Sequence, residues 1–198
     1  LKLDDSMSDY DVNPAELIEF DRALAERLKP FADHTLTASV YETALKRIVL
    51  TQLVQEFRQL KKDTDCLDYA DMTRLSLEIF RSQPDLVSQM RERFKVILLD
   101  EYQDTSTAQR MLMETLFSDG HALNAVGDAL QSIYVFRGAN PQNIDFFPQH
   151  FAVENTPAPV FPLPVTQRNG VNIVAVANML TDDLRSADAH PLAQPLKA

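Results

Sequence analysis

Two short apolar runs separated by one helical segment constrain the fold of this chain more than any other feature. Val96–Leu99 is an unbroken run of aliphatic and β-branched residues, and Ala122–Val126 is a second short run that is apolar except for Asn124. Runs of this kind are typical of strands buried on both faces. Thr107–Phe117, between them, has helical spacing. Strand, helix and strand within about thirty residues predict a parallel sheet and an α/β fold.

The residues before the first strand predict helices. Pro14 can occupy a first helical turn, and apolar residues then recur at helical spacing as far as Leu28. A longer helical pattern spans residues 40–60, and a third begins near Asp68. Asp85 is expected to cap a short fourth helix. This part of the chain is therefore predicted to be a helical subdomain.

The residues after the second strand continue the α/β region. Four prolines between residues 154 and 164 exclude a helix there and predict an extended connector. Helical spacing resumes over residues 170–184. The predicted organisation is a helical region at 1–93, an α/β region at 94–186 and a frayed tail at 187–198.

Composition limits the class of protein. The chain has 198 residues, of which 45% are hydrophobic, enough to bury a core in one or two domains. No apolar run approaches the roughly 18 residues that cross a bilayer, and no secretion signal is evident. We therefore expect a cytoplasmic protein without a membrane partner. The single cysteine, Cys66, excludes a disulfide framework and a Cys-based zinc site.

The net charge of −10 argues against a broad surface for nucleic-acid phosphates. It does not exclude binding to a single strand, because aromatic side chains can stack on bases with few charges nearby.

Acidic residues follow the first predicted strand. Asp100 and Glu101 come directly after Leu99, at the edge where parallel α/β sheets bind ligands. A carboxylate oxygen there suits Mg²⁺, and a neighbouring Glu can orient or deprotonate a water molecule. The alternative is a pair of solvated turn acids capping the next helix, which is the commoner meaning of an isolated Asp-Glu pair.

A second polar cluster follows the second predicted strand. A Gly-Asp turn at residues 127–128 is ordinary by itself. Gln131 lies three residues beyond the Asp and is followed by Tyr134, Phe136 and Arg137. That combination is not typical of a simple connecting loop.

Together these motifs resemble those of the superfamily 1A DNA helicases, which include UvrD, Rep, PcrA and the RecB, AddA and AdnB relatives. Asp100–Thr105 is similar to their Walker B motif, DEYQDT, and Gly127–Ala139 to their motif III, GDxxQSIYxWRGA. Further similar segments, with the family motif for each, are Leu67–Met72 (LDFDDLL), Arg91–Phe94 (RERF) and Leu163–Asn169 (motif IV, LxxNYRS). The resemblance covers about residues 66–184 in the family's order.

The resemblance implies part of a RecA-like P-loop NTPase motor domain, preceded by a helical 1B-type subdomain, with ATP and Mg²⁺ as cofactors. Asp100 would coordinate Mg²⁺, and Glu101 would be the catalytic base for water. Gln131 would sense the γ-phosphate. Arg168, in motif IV, would bind the nucleotide and stabilise charge on the transferring phosphoryl group. Gln167 stands where the family has a Tyr that packs on adenine, so the resemblance implies no such base contact here.

The resemblance also implies a surface for single-stranded DNA, made by Tyr134, Phe136 and Arg137. Phe136 stands where the family usually has Trp and would stack on a base. Without the surrounding motif, Phe136 would be interpreted as a core aromatic and Arg168 as a surface arginine. For Arg137 the alternative is a structural ion pair.

The implied function is an ATP-dependent DNA helicase or translocase, moving 3′ to 5′ on single-stranded DNA in repair or recombination. The implied partners are single-stranded and duplex-junction DNA, the remaining helicase domains and a partner protein of the helicase–nuclease type. No G-x-x-x-x-G-K-[ST] phosphate loop occurs in these 198 residues. We therefore expect the loop upstream of Leu1 in a longer protein, and no activity from this chain alone.

Two other functions compete with the helicase motor. A non-catalytic helicase-like scaffold or DNA clamp would keep the fold, but it would have no need of Asp100, Glu101, Gln131 and Arg168 together. A metal nuclease using Asp100 and Asp104 is disfavoured, because no third carboxylate and lysine follow at nuclease-like spacing.

Overall fold

The computed structural model describes residues 2–186 and 190–198, without the side chains of Leu36 and Ser186. The chain divides into two compact units, Leu1–Glu78 and Ile79–Ala198. The boundary expected from the sequence, at residue 93, lies further along the chain.

The helices are α1 (Lys2–Asp9), α2 (Pro14–Leu28), α3 (Thr35–Asp63), α4 (Tyr69–Ser82), α5 (Pro84–Arg93), α6 (Thr107–Phe117), α7 (Gln142–Asp145), α8 (Phe147–His150) and α9 (Val171–Ser186). The strands are β1 (Val96–Leu99) and β2 (Ala122–Ala125).

The first unit is helical, as the sequence predicts. α2 begins at Pro14, where the missing proline N–H costs nothing, and the Asn13 side chain accepts a hydrogen bond from the Ala15 N–H at 2.9 Å. α2 packs against α3, and buried Asp21 accepts two hydrogen bonds from the Arg47 guanidinium, one of them 2.6 Å long from Nε. α1 was not predicted, because its eight residues include few apolar ones.

A network of charged side chains joins α1, α3 and α4. Lys61 Nζ lies 2.7 Å from Asp71, 2.9 Å from Asp68 and 3.3 Å from Asp4. Arg58 and Arg74 add a second cation to Asp4 and to Asp71, at 2.6 and 2.9 Å. Burial raises the pKa of the Asp71 carboxyl, but hydrogen bonds from Lys61, Arg74 and the Asp68 backbone outweigh burial and lower that pKa to about 2. Asp71 is therefore ionised and held by charge-assisted hydrogen bonds.

The second unit contains the predicted strand–helix–strand unit. β1 and β2 pair in parallel, from Val96 beside Ala122 to Leu99 beside Ala125. α6 connects them and begins with a capping box, in which the Ser106 hydroxyl accepts from the Gln109 N–H and the Gln109 side chain accepts from the Ser106 N–H. The α/β class and the parallel sheet are confirmed. β2 ends one residue earlier than predicted.

The prediction that both strands are buried on both faces is wrong. Val96 is 63% exposed and Leu98 is 79% exposed, and alternate residues of β2 are also exposed. The sheet has two strands in the described part of the chain, and no element covers the face that carries Val96 and Leu98.

The predicted cap of α5 is also wrong, because Gln83 precedes the helix, Pro84 begins it and Asp85 lies in the first turn.

The last part of the chain is extended and then helical. Residues 154–164 contain no helix, as the prolines predict, and α9 begins one residue later and ends two residues later than expected. Of the tail expected to be frayed, residues 187–189 lie outside the described residues, while Leu196 exchanges two hydrogen bonds of 2.9 Å with the Asn178 side chain. No helix in the described ranges is long and apolar enough to span a membrane.

Candidate functional site

The turn after β1 presents two adjacent carboxylates at the carboxyl end of the strand. Asp100 Oδ1 accepts a hydrogen bond from the Glu101 N–H at 3.0 Å, and both side chains are exposed. Glu101 has φ 50° and ψ 41°, in the left-handed region. For a residue other than glycine, that conformation costs on the order of 1–3 kcal/mol. It sharply reverses the chain into the 3₁₀ turn at Tyr102–Asp104.

Tyr102 anchors this turn in the core of the second unit. Its side chain is fully buried, and its ring meets Phe147 of α8 edge to face with 5.4 Å between centroids. Burial raises the pKa of the Tyr102 hydroxyl, the charge of Glu114 adds to the rise and Arg110 opposes it. The turn that carries the two carboxylates is therefore anchored in the core by the buried, neutral Tyr102 side chain.

The loop after β2 lies against this turn. The Tyr102 N–H donates to the Val126 carbonyl at 3.0 Å, which fastens the β1 turn to the end of β2. The Asp128 carboxylate accepts from the Leu130 N–H at 3.0 Å and from Gln131 Nε2 at 2.9 Å. Gln131 is thus held by its own loop, and the two motif loops meet at the carboxyl edge of the parallel strands.

Gln103 connects the two loops directly. Its Nε2 donates to Glu101 Oε2 at 2.7 Å, and its Oε1 accepts from the Asp128 N–H at 3.0 Å. Its carbonyl accepts from the Ser132 hydroxyl at 3.2 Å. Gln103 is 1% exposed. Gln103 belongs to the Walker B-like motif, but no role was predicted for it, and the only signal in the sequence was its position two residues after Glu101.

Gly127 makes room for the Gln103 side chain. A Cβ at this position would lie 2.5 Å from Gln103 Oε1 and 3.2 Å from the backbone nitrogens of Gln103 and Tyr102. A larger residue at this position would push the Gln103 amide out of place and crowd the backbone of the neighbouring turn, so glycine suits the close approach of the two loops. The Gly-Asp pair that follows β2 is therefore more than a turn signal.

The carboxylates fit a magnesium–nucleotide ligand better than a metal held by protein alone. No group of three or more Asp, Glu, His or Cys side chains that could hold a metal occurs in the part of the chain that the structure describes. Mg²⁺ bound with a nucleotide needs only one or two carboxylates, since waters and phosphate oxygens complete its shell. Exposed Asp100 can supply that carboxylate, and Glu101 beside it can accept a proton from water.

An exposed aromatic pair follows the second loop. The Tyr134 and Phe136 rings lie 6.2 Å apart, and the Arg137 guanidinium lies 5.5 and 5.4 Å from their centroids. Phe136 is 77% exposed, so it is not a core residue of the described structure. Exposed aromatic rings with a neighbouring cation can bind a base of a single strand.

Arg168 is not bonded to the carboxylates in the described residues. It is exposed in the segment before α9, and its backbone N–H donates to the Thr166 hydroxyl at 3.3 Å. Within residues 2–186 and 190–198, no hydrogen bond or ion pair joins its side chain to Glu101 or Gln131. Hydrogen bonds therefore connect Asp100, Glu101 and Gln131 through Gln103 and Asp128, and none of those in the described part of the chain includes the Arg168 side chain.

Two motif loops that follow neighbouring parallel strands in this order are the arrangement expected of a helicase motor domain. The comparisons with known proteins support the same class. The chain belongs to the UvrD/REP helicase N-terminal domain family, whose model matches residues 6–152.

Three relatives illustrate the similarity. An ATP-dependent helicase/nuclease subunit of Lactococcus lactis subsp. lactis (strain IL1403) is 40% identical over 97 residues, which are 49% of this chain and 8% of the relative. The protein of the same name from Streptococcus pneumoniae (strain ATCC 700669 / Spain 23F-1) is 32% identical over 129 residues, 65% of this chain and 10% of the relative. The exonuclease/helicase subunit RexA of Lactococcus lactis subsp. cremoris (strain MG1363) is 42% identical over 85 residues, 43% of this chain and 7% of the relative. The chain thus spans a tenth or less of these relatives.

Proposed function

We propose that this chain is part of an ATP-dependent DNA helicase or translocase and contributes the metal-and-water side of its nucleotide site. The observation that carries the proposal is the joining of the Glu101 turn to the Gln131 loop, through Gln103, at the carboxyl edge of the β1–β2 pair. Ligands bind at this edge in open α/β sheets. Membership of the helicase family supports the same conclusion.

In this proposal each polar group has one task. Asp100 binds Mg²⁺, which would neutralise charge on the phosphates when the nucleotide is bound. Glu101 orients the attacking water and takes its proton, and Gln131 contacts the γ-phosphate. Arg168 is proposed to bind the nucleotide and stabilise charge on the transferring phosphoryl group, on the strength of motif IV alone. Residues 94–186 would then belong to a RecA-like motor domain, with the helical region before them.

The chain should not hydrolyse ATP by itself. In phosphate-loop NTPases, backbone amides of the glycine-rich loop cradle the phosphates and its lysine reaches them. No such loop occurs in these 198 residues. The activity proposed here is therefore that of the full-length protein, in the cytoplasm, in DNA repair or recombination with a partner protein of the helicase–nuclease type.

The proposed DNA contact is the exposed surface of Tyr134, Phe136 and Arg137. Stacking of one base on an aromatic ring contributes about 1–3 kcal/mol. We therefore expect Phe136→Ala in the full-length protein to weaken binding of an oligo-dT strand about tenfold. Fluorescence anisotropy of a labelled strand would measure this, and Phe161→Ala is the matched control because Phe161 is also 77% exposed but lies outside both motifs.

Strand displacement tests the whole proposal. With ATP and Mg²⁺, the full-length protein should release a labelled strand from a duplex that carries a 3′ single-stranded tail, and Phe136→Ala should slow this release. Release only from a duplex with a 5′ tail would show the proposed polarity to be wrong. Release from neither substrate, with DNA still bound, would exclude strand separation. ATP hydrolysis would then distinguish a translocase from a clamp or scaffold.

A further inference from the structure

The buried amide of Gln103 connects the two parts of the proposed site. We infer that Gln103 is a positioning residue, which fixes the Glu101 carboxylate for attack by water and links its position to the Gln131 loop. The inference rests on the proposed function, since it concerns the same nucleotide site. It assigns a task to a residue that contacts neither water nor nucleotide in that proposal.

The orientation of the Gln103 amide follows from its partners. An ionised carboxylate oxygen can only accept a hydrogen bond, and a backbone N–H can only donate one. Nε2 must therefore point to Glu101 Oε2 and Oε1 to the Asp128 N–H, as the distances of 2.7 and 3.0 Å indicate. In the flipped amide, Oε1 would face the Glu101 carboxylate, which is also an acceptor, and Nε2 would face the Asp128 N–H, which is also a donor. Because Gln103 is 1% exposed, its amide has little contact with water besides these two partners.

The hydrogen bonds form a continuous chain between the proposed base and the proposed phosphate sensor. It runs from Glu101 to Gln103 at 2.7 Å, from Gln103 to the Asp128 backbone at 3.0 Å, and from the Asp128 carboxylate to Gln131 at 2.9 Å. The Ser132 hydroxyl holds the other end of Gln103 through its carbonyl, at 3.2 Å. A displacement of the Gln131 loop that carries Asp128 and Gln103 with it would therefore move the hydrogen bond on Glu101.

Glu101 needs such a partner because its side chain is exposed. A free glutamate side chain samples several rotamers, whereas a charge-assisted hydrogen bond from a buried amide favours the one that reaches it. Misplacing a reacting group by about 1 Å can cost on the order of a hundredfold in rate. Losing the Gln103 donor should therefore lower kcat and leave the KM for ATP within about twofold.

The test is Gln103→Glu in the full-length protein. The new side chain keeps the length and an acceptor for the Asp128 N–H, but it places a second carboxylate against Glu101. We expect kcat to fall at least tenfold and the acidic limb of the kcat–pH profile to move to higher pH, because two carboxylates in contact share a proton. Asp100, Asp104 and Asp128, the other carboxylates of the two loops, are the same in variant and wild type.

Gln109→Glu is the matched control. It adds the same charge at an exposed position, and the new carboxylate still accepts the Ser106 N–H of the capping box. It should leave kcat and its pH profile unchanged.

Gln103→Met is the second variant, needed because a buried charge in Gln103→Glu could prevent folding. It removes donor and acceptor without adding charge, so kcat should again fall at least tenfold while the acidic limb stays in place. Thermal unfolding would show how much of each variant is folded. Wild-type kcat and pH profile in both folded variants would overturn the inference and leave the proposed function standing. Absence of ATP hydrolysis in the wild type would overturn both.

Discussion

Replacing Glu101 by Gln in the full-length protein is expected to lower kcat for ATP hydrolysis by at least about a hundredfold, while ATP affinity changes less than about twofold. A general base contributes about 10²–10⁴ to a rate. Glutamine keeps the size of the side chain and an acceptor for Gln103 Nε2, but it cannot take a proton from water. Steady-state hydrolysis and equilibrium binding of a labelled nucleotide would separate the two effects.

The control for this variant is Glu154→Gln. Glu154 is exposed and shares the left-handed backbone of Glu101, with the same φ of 50°, but it lies in neither motif. The Glu154→Gln protein should hydrolyse ATP at the wild-type rate. A Glu101→Gln protein with normal kcat would show that another group activates the water, and the role proposed for Glu101 would be withdrawn.

The second large effect is expected in the first unit, from Lys61→Met. Lys61 is the cation shared by Asp4, Asp68 and Asp71, and Asp4 and Asp71 are buried. Removing one partner of a buried ion pair costs about 3–5 kcal/mol, because the remaining charge stays desolvated. Arg58 and Arg74 remain as partners, so we expect a loss near the lower end, about 3 kcal/mol, in the free energy of unfolding by urea at neutral pH.

The pH dependence of that loss identifies its cause. The pKa of Asp71 in the folded chain is about 2, below its ordinary value of 3.8. A carboxyl with a lowered pKa stabilises the fold above its unfolded pKa, and this contribution is lost as the pH falls through the folded pKa. The difference between wild type and Lys61→Met should therefore narrow between about pH 4 and pH 2. Lys62→Met, at the exposed neighbouring position, should cost less than about 0.5 kcal/mol. An equal loss in both variants would contradict this account of the network.

Local patterns in the sequence were sufficient for the elements that depend on local physics. The apolar run at Val96–Leu99 and the helical spacing at Thr107–Phe117 correctly gave the strand, the helix and the parallel pairing. The burial of the strands could not be predicted from local patterns, because it depends on which other elements cover them. The same run that predicts a strand buried on both faces has Leu98 79% exposed in the described part of the chain.

The candidate site shows the same division between local and distant information. The positions of Asp100, Glu101 and Gln131 after the strands followed from the βαβ pattern and the motifs. The role of Gln103 could not be predicted from the sequence, since its second partner is the backbone of Asp128, 25 residues away. The contact also depends on the left-handed backbone of Glu101 and on the absence of a side chain at Gly127.

The buried network of the first unit was missed for a related reason. Lys61 and Asp4 are 57 residues apart, so no local pattern connects them. Charged residues on a helix are usually solvated, and α1 itself was not predicted.

ATP hydrolysis by the unmodified full-length protein, measured with Mg²⁺ in the presence and absence of single-stranded DNA, tests the central claim most directly. The Asp100–Glu101 turn, with Gln131 joined to it, is proposed to hydrolyse ATP and to respond to DNA through the adjoining aromatic surface. We predict Mg²⁺-dependent turnover that rises when oligo-dT is added. Nucleotide and DNA binding without turnover under either condition would contradict the motor and leave a clamp in its place.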